Sequence, residues 1–153
     1  MKERYKHVFY KKLSFPMYTL FVLDDDIVFQ RLMKLMFIRF PVFKHVLYYN
    51  ESKPLLNYLA EYKNDFSNLP DIIFLDLSMP VVDGWKVLNA IEKLYPSLCK
   101  KIEVYVVTVS IMEKDKERAL AYPFVKEFIS KPLYKDKLIS ICYDVNVGVD
   151  EGI

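Results

Sequence analysis

The chain has 153 residues, 53% hydrophobic and 27% charged, with a formal net charge of +2. This composition is globular rather than disordered, the length gives room for one domain with a sizeable core, and no apolar stretch reaches the ~18 residues of a membrane-spanning helix. Residues 1–16 carry Lys2, Arg4, Lys6, Lys11 and Lys12 against Glu3, a charge of +4, so the remainder holds 17 basic against 19 acidic side chains, or −2, which gives no electrostatic case for nucleic-acid binding.

Taken in chain order, residues 1–16 lack the continuous apolar core of a secretory signal. They read as a basic, flexible N-terminal extension, and a start of translation at Met17 is left open as the alternative. A folded unit is expected over residues 17–146. Its first apolar run, Leu20-Phe21-Val22-Leu23, ends in Asp24, Asp25 and Asp26. Ile27 to Phe40 reads as a helix, stopped by Pro41, with Asp26 as its solvated N-cap. Val28, Leu32, Leu35 and Met36 form a stripe expected to face the core, and Phe29, Met33, Phe37 and Phe40 form a second stripe at similar spacing. Such a helix either is deeply buried or exposes an apolar face.

Phe43 to Tyr49 is a second strand, and Leu55, Leu56, Leu59 and Tyr62 mark a second helix, with Pro54 tolerated in its first turn. Asp71 to Asp76 is the third strand, and its apolar run Ile72-Ile73-Phe74-Leu75 ends in Asp76. Gly84 to Leu94 is the third helix, with Trp85 expected against the sheet. Ile102 to Thr108 is the fourth strand. Ser110-Ile111-Met112-Glu113 fits a capping box that opens a fourth helix, which stops at Tyr122-Pro123. Val125 to Ile129 is the fifth strand, followed by Ser130-Lys131-Pro132, and Tyr134 to Tyr143 is the last helix. Residues 147–153 read as a short tail, with no room for an output domain. Cys99 and Cys142 lack metal-ligand spacing and suggest reduced thiols. With no leader and no span, a cytoplasmic location is expected.

Five strands alternating with five helices imply an α/β, doubly wound parallel sheet with helices on both faces. Ligands of such sheets sit beyond the carboxyl ends of the strands. Four apolar runs finish there in an acid cluster, an acid, a hydroxyl and a lysine. Converging carboxylates repel and need a cation, and hard oxygen ligands with room for water describe a Mg²⁺ site.

The segments FVLDDD, DIIFLDLSMPVVDGW, VYVVTVS and FISKPL, in that order and each at a strand end, resemble the receiver domain of bacterial two-component response regulators, over roughly Tyr18 to Asn146. The resemblance implies a flavodoxin-like sheet of order 2-1-3-4-5. It implies a signalling switch that accepts a phosphoryl group on Asp76 from a histidine kinase or histidine phosphotransfer protein, hydrolyses it slowly, and signals to a downstream protein by contact. Such a switch is not a turnover enzyme. By the same resemblance, Asp25, Asp76 and the backbone carbonyl of Ser78 bind Mg²⁺ directly, and Asp24 reaches it through water. Lys131, aimed by a cis Lys131-Pro132 bond, contacts the phosphoryl oxygens. Thr108 and Phe128 are the switch pair, Gly84 serves a demanding turn, and the first helix docks the histidine-bearing partner. Val109 stands where small residues are common and is expected to alter kinetics. Tyr122-Pro123-Phe124 lacks a glycine often found before the fifth strand. Two alternatives remain at this point. One is a non-phosphorylated pseudo-receiver, against which the intact acidic, hydroxyl and lysine set argues. The other is a Mg²⁺-dependent phosphohydrolase of haloacid-dehalogenase type, which would usually carry an aspartate where Ser78 stands.

Overall fold

The computed structural model describes residues 18–80 and 83–147. The expected extension 1–16 and residues 148–153 of the expected tail lie outside the described residues. The elements run β1 (Thr19–Leu23), α1 (Ile27–Arg39), β2 (His45–Tyr49), α2 (Ser52–Glu61), β3 (Ile72–Leu75), α3 (Gly84–Leu94), β4 (Glu103–Thr108), α4 (Glu113–Leu120), β5 (Val125–Ser130) and α5 (Lys135–Val147). All five strands are parallel, in the order β2-β1-β3-β4-β5. Among the described residues no helix is long and apolar enough to cross a membrane.

The central strands are buried on both faces, which is why they read as continuous apolar runs rather than alternating ones. Their period of two still sorts the side chains into two cores. Phe21, Leu23, Ile73, Leu75, Val104 and Val106 meet Leu55 and Leu59 of α2, Val87, Leu88 and Ile91 of α3, and Ala119 of α4. Leu20, Val22, Ile72, Phe74, Tyr105 and Val107 meet Met33 and Phe37 of α1 and Leu138 and Ile141 of α5.

Four expectations are corrected. On α1 the second stripe faces the core: Met33 and Phe37 are buried, whereas Val28, Leu32 and Leu35 are 65%, 58% and 64% exposed. The ring of Phe37 packs edge-on against Phe43, and Phe43 against Phe74, so the bulkier stripe fills the space above the sheet. The capping box at the start of α4 does not form. Met112 is the N-cap and makes no side-chain cap bond. The Ser110 hydroxyl instead donates to Asp115 at 2.6 Å and accepts from the Met112 N–H at 3.3 Å. The last helix continues to Val147, beyond Tyr143 and into the expected tail. Gly84, finally, has no left-handed backbone. Its requirement is space, since a Cβ there would lie 2.6 Å from both the Asp76 carbonyl oxygen and the Leu77 Cα.

Candidate functional site

Register places the site. β1 and β3 pair Leu23 with Leu75, so Asp24 and Asp76 leave the sheet side by side. The Asp76 N–H donates to the Leu23 carbonyl at 3.0 Å and the Asp24 N–H to that of Tyr49 at 3.0 Å, which carries both backbones one step past the strands. β4 and β5 pair Thr108 with Ser130, and the Lys131 N–H donates to the Thr108 carbonyl at 2.8 Å. Three carboxylates converge: one oxygen from each of Asp24, Asp25 and Asp76 lies within 4.8 Å of the others. Asp24 and Asp76 are buried, and Asp25 is half-buried.

The Lys131 ammonium bridges two of them, 2.7 Å from Asp24 Oδ2 and 2.9 Å from Asp76 Oδ2. The Lys131-Pro132 bond is cis, as expected. The other Asp76 oxygen accepts the Ser78 N–H at 2.9 Å, and the other Asp24 oxygen accepts the Asp26 N–H at 2.9 Å. Thr108 is fully buried, with its Oγ1 3.1 Å from Ser78 Oγ.

Burial pushes the Asp24 carboxyl above the usual carboxylate range, and the bond from Lys131 offsets part of that rise. For Lys131, burial alone would depress the ammonium's pKa. Its hydrogen bonds to Asp24 and Asp76 outweigh burial and hold it above the ordinary lysine value. Three converging carboxylates against one ammonium leave two negative charges uncompensated. An all-oxygen donor set with that charge fits a hard divalent cation.

The structure thus brings together Asp24, Asp25, Asp76, Ser78, Thr108 and Lys131. Phe128 stands apart from them, opposite Val106 in the register and half-buried against the core beneath α4. Asp26 faces α1 instead, accepting the N–H groups of Val28 and Phe29 as an N-cap. Trp85 is half-buried on the core, with the Arg118 guanidinium 3.9 Å above its ring centroid. Two neighbours of the site were not foreseen. The Ser78 side chain, expected to count only through its backbone, bonds Thr108. Phe29, read only as a member of an apolar stripe, lies over Lys131 at 4.2 Å. Nothing in the spacing of α1 signals that contact, because the lysine arrives from the far end of the chain.

The family profile described as "Response regulator receiver domain" matches residues 20–143. A curated relative, the "Probable methanogenesis regulatory protein FilR2" of Methanothrix harundinacea, is 34% identical over 83 residues, which is 54% of this chain and 52% of that protein. The alignment thus spans about half the length of that relative. Among solved structures, the chain is similar to a two-component response regulator from Cytophaga hutchinsonii (22% identity, TM-score 0.75, 84% of this chain and 96% of that one). It is also similar to the phosphorylated cyanobacterial phytochrome response regulator RcpA (26% identity, TM-score 0.62, 86% of this chain and 92% of that one). A profile match across nearly the whole described fold, over a sheet that ends in this aspartate cluster, means that the chain belongs to the response regulator receiver domain family.

Proposed function

We propose that Asp76 is the phosphoacceptor, taking its phosphoryl group from a histidine kinase or histidine phosphotransfer protein. The observation that carries this reading is the Lys131 bridge: one ammonium joins Asp24 to Asp76, and Asp76 is the partner whose neighbour Ser78 touches the buried Thr108 hydroxyl. The Asp76 carboxylate attacks phosphorus, displacing the donor imidazole and leaving an aspartyl phosphate. Lys131 then exchanges Asp76 for a phosphoryl oxygen, a charge-assisted bond it can make without leaving Asp24. Thr108 donates its hydroxyl to a second phosphoryl oxygen. Positioning and electrostatics supply most of the catalysis in such transfers.

Mg²⁺ is the cation we assign. Asp25, Asp76 and the Ser78 carbonyl would hold it directly and Asp24 through water, and when bound it supplies charge neutralisation between the carboxylates and the phosphoryl group. The solvent face of α1, with Ile27, Val28, Leu32, Leu35 and Ile38 exposed beside the acid cluster, is where we place docking of the histidine-bearing partner. Output is assigned to contact with a downstream protein, within the receiver unit 17–146. Cys99 is exposed and outside any disulfide, which supports a reducing, cytoplasmic setting.

The test is intact-protein mass after incubation with Mg²⁺ and acetyl phosphate or a phosphorylated partner. Wild type should gain one phosphoryl group, located to Asp76, and Asp76→Asn should gain none. A wild type that never gains it, or an Asp76→Asn variant that does, overturns the assignment.

A further inference from the structure

We infer that Phe29 is a positioning residue for phosphoryl transfer, its ring face holding the Lys131 ammonium in place; the inference rests on the roles proposed above for Asp76 and Lys131. An ammonium carries three N–H donors. Asp24 and Asp76 accept two of them, at 2.7 Å and 2.9 Å. The nitrogen also lies 4.2 Å from the centroid of the Phe29 ring, well inside the ~6 Å over which a cation is drawn to the negative face of a ring. The Lys131 side chain is only 10% exposed. The ring therefore stands where water would otherwise complete the shell around the charge.

The ring is itself held. Asp26 accepts the Val28 and Phe29 N–H groups at 2.9 Å and 3.2 Å, which pins the backbone at the first turn of α1. The side chain packs, partly buried, on the core that α1 covers. Met33 and Phe37, one and two turns further along, are fully packed against apolar neighbours. Phe29 meets the Lys131 ammonium at the start of the stripe, as Phe40 meets that of Lys135 at its end; of the two cations, Lys131 is the one that also touches Asp24 and Asp76.

The consequence concerns the moment of transfer. Once phosphorus bonds to Asp76, Lys131 must leave the carboxylate for a phosphoryl oxygen. Asp24 and Phe29 are the two contacts that keep their partner through this exchange, so together they form the pivot. A leucine at position 29 fills much of the same space without a negative face. Of the two contacts that persist through the exchange, only Asp24 would then remain.

The experiment compares wild type with Phe29→Leu, Phe29→Met and Phe29→Tyr, each first shown to be folded by its amide NMR spectrum. The methionine variant serves if the leucine variant fails to fold. Without metal or donor, the Lys131 side-chain protons should show an upfield ring-current shift in wild type and Phe29→Tyr that is absent from the aliphatic variants. With Mg²⁺ and acetyl phosphate, the initial rate of Asp76 modification should fall three- to tenfold in the aliphatic variants and stay near wild type in Phe29→Tyr. Mg²⁺ affinity, measured separately, should be unchanged. Aliphatic variants that react at the wild-type rate overturn the inference, as does a Phe29→Tyr variant that slows as much as they do. A wild type that takes no phosphoryl group at Asp76 overturns the proposed function, and this inference with it. A modified wild type beside an unimpaired Phe29→Leu overturns this inference alone.

Discussion

Gly84 shows how closely the β3–α3 connection is built around Asp76. It opens α3 with ordinary helical backbone, and the N-cap Asp83 accepts the Trp85 N–H at 3.0 Å. What the position lacks is room. An added methyl would meet two backbone atoms, the Asp76 carbonyl oxygen and the Leu77 Cα, each at 2.6 Å. Backbone cannot rotate away as a flexible side chain can, so helix and strand end must separate. Overpacking of this kind costs about 1–3 kcal/mol, occasionally more. Gly84→Ala should therefore lower stability by about 2–3 kcal/mol, read as a drop in urea midpoint at constant slope. It should also slow phosphorylation, because the displaced atoms belong to Asp76 and its neighbour. Equal midpoints for Gly84→Ala and wild type would show that the connection yields more readily than this geometry allows.

Among the elements, α1 most clearly separates what periodicity determines from what it leaves open. Two apolar stripes at helical spacing fix the helix and the angle between its faces. They do not say which face the sheet covers, because both stripes satisfy the same period. Tertiary shape decides: Phe37 and Phe43 interlock edge-on, 5.3 Å between centroids, whereas Leu32 and Leu35 stay mostly exposed. Phe37→Ala should consequently cost about 3–5 kcal/mol, while Leu35→Ala should stay within about 0.5 kcal/mol of wild type; urea titration of both variants checks the assignment, and the reverse order would return the helix to the face first expected. The start of α4 was obscured by a related ambiguity. Ser110 and Glu113 match a capping box in sequence, but Asp115 competes for the Ser110 hydroxyl and takes it. The central strands β1, β3 and β4 posed no such difficulty. A run apolar on both faces has one environment available in a domain of this size, and its polar ends are the strand ends.

At the scale of the whole molecule, the strand-end residues of the site were legible because parallel pairing carries them to one edge whatever the details of packing. The contacts that connect this edge to the rest of the fold were not: the local ones depend on which hydroxyl partner wins, and the others join residues far apart in sequence. From Thr108, the Ser110 N–H reaches Oγ1 at 3.4 Å, and the Ser110 hydroxyl bonds Asp115 in α4. At the other end of α4, Arg118 covers the ring of Trp85 at 3.9 Å, and the Tyr122 hydroxyl donates to Asn89 of α3 at 2.5 Å. Thr108 is thus linked through α4 to the single tryptophan of the chain. Phosphorylation can shift this assembly only by interacting differently with its two states, and Thr108 supplies the difference if its hydroxyl leaves Ser78 for the phosphoryl group. The expected outcome is a change in Trp85 emission when Mg²⁺ and beryllium fluoride, a phosphoryl mimic, are added together. Arg118→Ala should alter the resting emission and lose most of that change. Thr108→Ala should still take a phosphoryl group at Asp76, by intact mass, yet give no change in emission. Because Trp85 also lies just past the Asp83-Gly84 turn, Mg²⁺ alone is the control. If Mg²⁺ alone reproduces the full change, or if Thr108→Ala retains it, Trp85 is reading the metal pocket rather than α4. The chain would then drain phosphate without passing a signal to the face formed by α4, β5 and α5.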